Sequence, residues 1–469
     1  PSYAFAGCAS ILSVQLPKIL AIIQNNAFEN CVGINELTLP NGLQTIGDSS
    51  LRNVPIKTVA VPDTVTSIGL GAFYGCPLES ITLPFVGKTG KTDQTSESVF
   101  GYVFGKYDSS TNSKPEGTIY QGWGNGRYLT PGTSGRNYSY DSYYCADYYY
   151  IPTTLKTVII TNATIIPYGA FQNCDFIENI TVSSTVTKIS NFAFKNCKGI
   201  TNINLGTALA SIGTYAFADC SALETITIPN TVENIGNYAF NNCNLLSRMN
   251  SSTDGNIVLP TEITTIPSYA FAGCASILSV QLPKNLATIQ NNAFENCVGI
   301  TELTLPNGLK SIGDSALRNV SIKTIVVPDT VTSIGLGAFY GCPLESITLP
   351  FVGANRDLKT SVDSSYYTEK QLLGYIFGST LESTSSNGQN LVYQGQSYNS
   401  GYRKYYIPST LKTVTITDAT GISANAFYGC TMIESLTLNT GITGIYDRAF
   451  YSCSALKSME IPESVASLG

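Results

Sequence analysis

Apolar positions recur along most of the chain with the pattern L-x-x-I-x-[IL]-P-x-x-[VL]-x-x-I-G-x-x-A-F-x-x-C, seen whole in Leu223–Cys243. The first part places apolar side chains on one side of a short strand, as in Leu78, Ile81 and Leu83. A proline then ends the pairing, and a second extended piece returns (Val65, Ile68). The G-x-x-A-F-x-x-C run predicts a tight or short helical turn. Sixteen strand-like segments start between Ile11 and Leu456, and where nothing interrupts them the steps are 22 or 23 residues. A column of Phe marks the turns from Phe5 to Phe450, with Leu at Leu51 and Leu317. A single coil cannot cover its own apolar side, whereas stacked coils bury a continuous core. Pro and Gly in nearly every period exclude a coiled coil. The prediction is a repeat solenoid of about 16 coils, with short parallel β-strands.

A second, longer repeat lies over the first. Residues 1–87 match 267–353 at a constant offset of 266 with nine differences, among them Ile19 against Asn285 and Pro55 against Ser321. A whole block of coils has been duplicated. Repeat coils therefore occupy 1–87, 151–353 and 407–469, and two insertions, 88–150 and 354–406, interrupt them. The insertions are related: Gly101–Gly105 (GYVFG) matches Gly374–Gly378 (GYIFG), and Tyr120-Gln121-Gly122 matches Tyr393-Gln394-Gly395. Each is expected to replace the A-F turn of its coil, anchored by Tyr102 and Phe104 or by Tyr375 and Phe377.

The insertions hold nineteen of the 29 Tyr and the only Trp. Tyr offers contact area at low entropic cost, a composition that binding loops also favour, and loops this long in a compact fold are either functional or disordered. The candidate ligand surface is Trp123, Tyr128, Tyr138, Tyr140, Tyr143, Tyr144, Tyr366, Tyr367, Tyr398 and Tyr402. The alternative is a self-packed Tyr cluster over a break in the solenoid. A second candidate surface is the outward side of the strands, where Ser13, Thr58, Ser80, Thr157, Thr225, Ser279, Thr324, Ser346, Thr413, Ser435 and Ser458 recur. Hydroxyls there suit a glycan or protein, although Thr also simply favours strands.

Composition narrows the chemistry. Charged residues make up 12% of the chain, about half the ~25% usual for soluble domains. The net charge is −6 and no basic run occurs, which argues against nucleic acid as a partner. The absence of histidine removes Ser-His-Asp and Cys-His catalysis and His-containing zinc sites. Gly122–Gly126 (GWGNG) precedes no Lys-Ser/Thr helix, so it is no phosphate loop. No paired-carboxylate pattern emerges, so the chain is read as non-enzymatic, with no catalytic residue, cofactor or metal.

Twelve of the thirteen Cys stand three residues after the Phe/Leu column, and two coils carry Val54 and Val320 there. A position that accepts Val needs small apolar volume, so these thiols are read as buried and unbridged. A disulfide framework or a row of metal sites fits the parallel stacking less well. Cys145 is the exception. No apolar stretch of about 18 residues exists to span a membrane. The chain opens and closes within a repeat, with no polar cap. It is therefore expected to be part of a longer polypeptide, and end-to-end self-association is a structural alternative.

The recurring I-G-x-x-A-F-x-x-C resembles the BspA-like, or Treponema pallidum-type, leucine-rich repeat, over nearly all of the chain outside the insertions. The resemblance implies a right-handed curved leucine-rich-repeat superhelix. It also implies an extracellular, secreted or cell-surface bacterial protein, since several family members are regarded as adhesins. The partners implied are host or neighbouring-cell surface proteins or glycans. The family has no shared binding residues to carry over.

Overall fold

The computed structural model describes residues 2–90, 95–106, 117–122, 146–251, 253–356, 368–380, 392–394 and 403–469. The chain divides into two compact units, Pro1–Val232 and Glu233–Gly469. Each is a stack of coils built from short parallel strands, so the predicted solenoid is present in both.

In the first unit, six first strands run parallel: Thr58–Ala60, Ser80–Leu83, Thr157–Ile160, Asn179–Val182, Asn202–Asn204 and Thr225–Thr227. Ile81 stands beside Val59 and Val158, and Ile180 stands beside Val158 and Ile203. All five are buried, while their strand neighbours face outward. A second ladder is made by the two-residue strands Ile22–Ile23, Thr45–Ile46 and Ser67–Ile68, and another by Ile165–Ile166, Lys188–Ile189 and Ser211–Ile212. The second unit repeats the design, with Thr324–Val326, Ser346–Leu349, Thr413–Ile416 and Ser435–Thr437 as one first-strand sheet. Its second strands include Thr265–Ile266, Thr288–Ile289, Ser311–Ile312 and Ser333–Ile334.

The turns are tight rather than helical, and they form a third ladder between coils. Asn26, Phe28 and Asn30 donate their N–H groups to the carbonyls of Asp48, Ser50 and Arg52, each at 2.8–2.9 Å. Two residues of each such turn lie in the left-handed region, as at Asn26 (φ 57°) and Asn30 (φ 61°). Between them the Phe column stacks: Phe171 on Phe194 at 5.3 Å and Phe194 on Phe217 at 5.0 Å, with Phe240 on Phe271 at 5.4 Å in the second unit.

The twelve column cysteines are unbridged, and all but Cys8 and Cys453 are buried. Most donate their S–H to the carbonyl of the Phe/Leu column one coil earlier, as Cys197 does to Phe171 at 3.0 Å and Cys342 to Leu317 at 3.0 Å. Small volume and one weak hydrogen bond account for the residue choice. Cys145 lies outside the described residues.

One expectation fails locally. No strand forms at the segments beginning at Ile11 and Ile34, and those at Ile300 and Leu456 carry only isolated bridges, at Glu302 and Ser458. The stretch ILSVQLP occurs at both 11–17 and 277–283, and the second copy forms Ser279–Gln281 by pairing with Asn256–Val258. The neighbouring coil, not the local sequence, makes the strand.

Candidate functional site

Both insertions are rooted in the core by one device. In the first, a five-residue 3-10 helix, Phe100–Phe104, takes the place of the A-F turn, as expected. Its ends serve different neighbours. Val103 O accepts from Phe73 N–H at 2.9 Å, and Phe100 N–H donates to Ala170 O at 2.9 Å. The ring of Phe104 accordingly meets Phe73, and that of Phe100 meets Phe171 at 4.9 Å. The second insertion repeats this with Leu373–Phe377, where Phe377 meets Phe339 and Leu373 N–H donates to Ala426 O. Tyr102, Phe104 and Phe377 are buried anchors, while Tyr375 is only partly covered.

From this root rises an antiparallel hairpin, Thr118–Gly122 with Ala146–Tyr150. Its counterpart pairs Val392–Gln394 with Arg403–Tyr405, and Ser379–Thr380 flanks the latter strand. One glutamine locks each hairpin to the solenoid. Gln121 Oε1 accepts from Gly101 N–H at 2.7 Å, while Nε2 donates to Gln172 O and to Cys174 Sγ, both at 3.2 Å. Gln394 does the same, accepting from Gly374 N–H at 2.7 Å and donating to Cys430 Sγ at 3.3 Å. The fully buried Tyr149 and Tyr405 press on Gly101 and Gly374. A Cβ added at Gly101 would lie 2.4 Å from Tyr149 Cβ, and one at Gly374 2.3 Å from Tyr405 Cγ. The matching G-Y-[VI]-F-G and Y-Q-G signatures therefore encode a root. Their pairing is visible in the sequence, but the roles of Gln121, Gln394, Tyr149 and Tyr405 are not.

Every residue of the expected ligand surface lies outside the described residues: Trp123, Tyr128, Tyr138, Tyr140, Tyr143, Tyr144, Tyr366, Tyr367, Tyr398 and Tyr402. Trp123 through Tyr144 fall between the two strands of the first hairpin, and Tyr398 and Tyr402 between those of the second.

The hydroxyl-rich strand surface is present. Thr58, Ser80 and Thr157 are direct neighbours, joined by Asn179, Asn202 and Thr225. In the second unit Thr324, Ser346, Thr413, Ser435 and Ser458 align, and all are partly or fully exposed. Along one edge of this face charges alternate from coil to coil. Lys57 pairs with Glu79 at 2.7 Å and Lys156 with Glu178 at 3.0 Å. In the second unit Lys323 pairs with Glu345 at 2.9 Å, and Glu434 is shared by Lys412 at 3.3 Å and Lys457 at 2.5 Å. The two lysines hold the Glu434 carboxyl below its ordinary range.

The buried thiols are unsuited to nucleophilic work. Burial pushes Cys76, Cys274 and Cys342 up to about 12, and Cys174, Cys197, Cys297 and Cys430 also rise. Among the described residues no cluster of three or more metal-ligating side chains occurs, and no helix is long and apolar enough to cross a membrane.

These coils, with an A-F turn and a Cys column, define a leucine-rich-repeat protein. The family model for the BspA type leucine rich repeat region, in six copies, matches residues 1–100, 145–255, 249–362 and 401–469. The chain belongs to the BspA-type leucine-rich-repeat family. Among solved structures it is similar to a leucine-rich repeat protein from Bacteroides ovatus, with 23% identity over 76% of this chain and 91% of that one, TM-score 0.47. It is also similar to a leucine-rich repeat protein of T. pallidum, with 26% identity over 35% of this chain and 75% of that one, TM-score 0.30. A leucine-rich cell surface protein from Faecalibacterium prausnitzii shares 18% identity over 91% of this chain and 88% of that one, TM-score 0.30. No curated protein matches the sequence.

Proposed function

We propose that this is a non-enzymatic, extracellular bacterial protein that binds proteins or glycans on other surfaces, as an adhesin does. The observation that carries the reading is the duplicated root. Two Tyr-rich hairpins are each tied to a solenoid unit by a buried glutamine and a buried tyrosine. Building the same anchor twice is economical when the segment it holds has a task of its own. The hydroxyl-rich strand ladders offer a second contact face, with paired charges along one edge. Two similar binding elements on one chain raise avidity for a surface that displays many copies of a ligand.

The test compares the intact chain with a variant in which 88–150 and 354–406 are replaced by ordinary repeat turns. Both are applied to immobilised matrix proteins and glycans. Binding by the intact chain and loss in the variant supports the hairpins as recognition elements. Equal binding moves recognition to the strand face, and no binding by either removes the adhesion reading.

A further inference from the structure

The duplication places two versions of one local frame side by side for comparison. Ile68 N–H donates to Lys88 O at 2.8 Å, and Ile334 N–H donates to Ala354 O at 2.7 Å. Lys88 N–H donates to Glu97 O at 2.8 Å, and Ala354 N–H donates to Lys370 O at 2.7 Å. Ala354 therefore stands where Lys88 stands, and Lys370 where Glu97 stands. Tyr375 and Asp314 are likewise the counterparts of Tyr102 and Asp48.

In the first unit the Lys88 ammonium pairs with Glu97 at 2.9 Å and acts on Tyr102 and Asp48. Its arm starts from the wall position that Ala354 takes in the second unit and runs, partly exposed, through the space in front of it to Glu97. In the second unit Ala354 leaves that space open as a cleft of about 350 Å³. Gln290, Asn291, Ser311, Ser333, Asp314 and Tyr375 line it. The Asp314 carboxylate is held in place, since its Oδ1 accepts from Leu336 N–H at 2.7 Å. Lys370, an exposed residue, also lines it. The electrostatics agree with a missing cation. Burial raises both tyrosines, and Lys88 works against this at Tyr102, whereas at Tyr375 the acidic Asp314 and Glu369 only add to it.

We infer that this cleft of the second unit binds an amino sugar with a free amine, the ligand supplying the ammonium that Lys88 supplies in the first unit. The ammonium has the Asp314 carboxylate and the Tyr375 hydroxyl as acceptors, while the amide oxygens of Asn291 and Gln290 already accept from Asp314 N–H and Ser268 N–H. The hydroxyls and amides of Ser311, Ser333, Gln290 and Asn291 suit the sugar hydroxyls, and the volume is that of a small-ligand site. The cleft takes Ala354, Lys370 and Tyr375 from the second insertion but no residue of the hairpin strands, so its failure under single substitutions leaves the adhesion reading standing.

The test titrates the full chain with methyl glucosaminide, methyl N-acetylglucosaminide, methyl glucoside and lysine amide, followed by calorimetry or NMR. The glucosaminide is expected to bind one site per chain, and the other three at least tenfold more weakly. Ala354→Lys, which places the first unit's ammonium in the cleft, is expected to abolish binding, and Asp314→Asn to weaken it at least tenfold. Lys370→Glu restores the acidic partner and is expected to tighten binding, while Lys88→Ala is expected to open a second site. Glucoside binding as tightly as the glucosaminide overturns the ammonium assignment. Lysine amide binding equally tightly overturns the sugar assignment. Binding that survives Ala354→Lys, or none at tens of millimolar ligand, overturns the site.

Discussion

The side-chain amide of Gln121 donates to Cys174 Sγ at 3.2 Å across 53 positions of sequence. In an uninterrupted run of coils, a column thiol meets the carbonyl of the preceding coil, as Cys197 meets Phe171. Where the insertion breaks that succession, a glutamine from the hairpin reaches the thiol instead. Gln394 and Cys430 repeat the substitution in the second unit. The insertion is thus spliced into the core rather than hung on its surface.

Replacing Gln121 with Leu keeps the volume but leaves the buried Gly101 N–H without its acceptor. An orphaned buried donor costs about 1–3 kcal/mol. Gln121→Leu is expected to lower the stability of the first unit by that amount and to speed amide exchange at Gly101. Gln394→Leu does the same at Gly374 in the second unit. Denaturant unfolding and hydrogen exchange measure both, and a change within error at Gly101 would show that another acceptor serves it.

The two copies differ at one fully buried position, where Ser50 in the first is Ala316 in the second. Ser50 Oγ has no hydrogen-bond partner among the described residues. Removing an unsatisfied buried hydroxyl without changing shape relieves its desolvation cost, about 1 kcal/mol. Ser50→Ala is expected to raise the unfolding midpoint, and Ala316→Ser to lower it. Opposite signs would mean that Ser50 is satisfied by water.

Alkali is expected to unfold the protein steeply. Burial holds Cys76, Cys274 and Cys342 near 12, against an ordinary value of 9.0. A raised folded-state pKa gives stability that is complete below the unfolded value and is lost as pH climbs toward the folded one. Each such thiol then removes about 1.4 kcal/mol per pH unit between roughly 9 and 12. Under reducing conditions, melting temperature is expected to hold to about pH 9 and then fall. Cys342→Val, the residue at the equivalent Val54 and Val320, is expected to shift the alkaline midpoint upward.

Much of this fold was legible because the repeat states each requirement many times. Phe171, Phe194 and Phe217 occupy one column in sequence and one stack in space. The column cysteines were legible because Val54 and Val320 disclose a demand for volume. Gln121 was not, because its partner lies in another coil and a single polar residue in a Tyr-rich insertion carries no period. The missing strand at Ile11 was also invisible, since an identical stretch at Ile277 does form one. The family and the Tyr-rich insertions could be read in sequence, but the Tyr-rich positions proposed to meet a ligand lie outside the described residues.

The left-handed turn positions bear a last prediction. Asn26 and Asn292 occupy one of them, and Asn tolerates φ near 60°. Phe192 occupies the same place at φ 60°, and Tyr215 at φ 56°. For a bulky residue this geometry costs about 1–2 kcal/mol. The rings recover it by stacking: Phe192 lies 5.0 Å from Tyr215 and 5.2 Å from Tyr168, with the Lys195 ammonium 5.6 Å from its centroid. Aromatic pairs contribute about 0.5–1.5 kcal/mol each, so strain and stacking nearly balance. Phe192→Asn is therefore expected to change stability by less than about 1 kcal/mol, because it gives up both together. Phe192→Val loses the stack yet keeps the strain, which a β-branched side chain bears badly, and is expected to cost about 3 kcal/mol. Equal losses in the two variants, measured by urea unfolding, would show that the ring's burial rather than its backbone geometry governs this position.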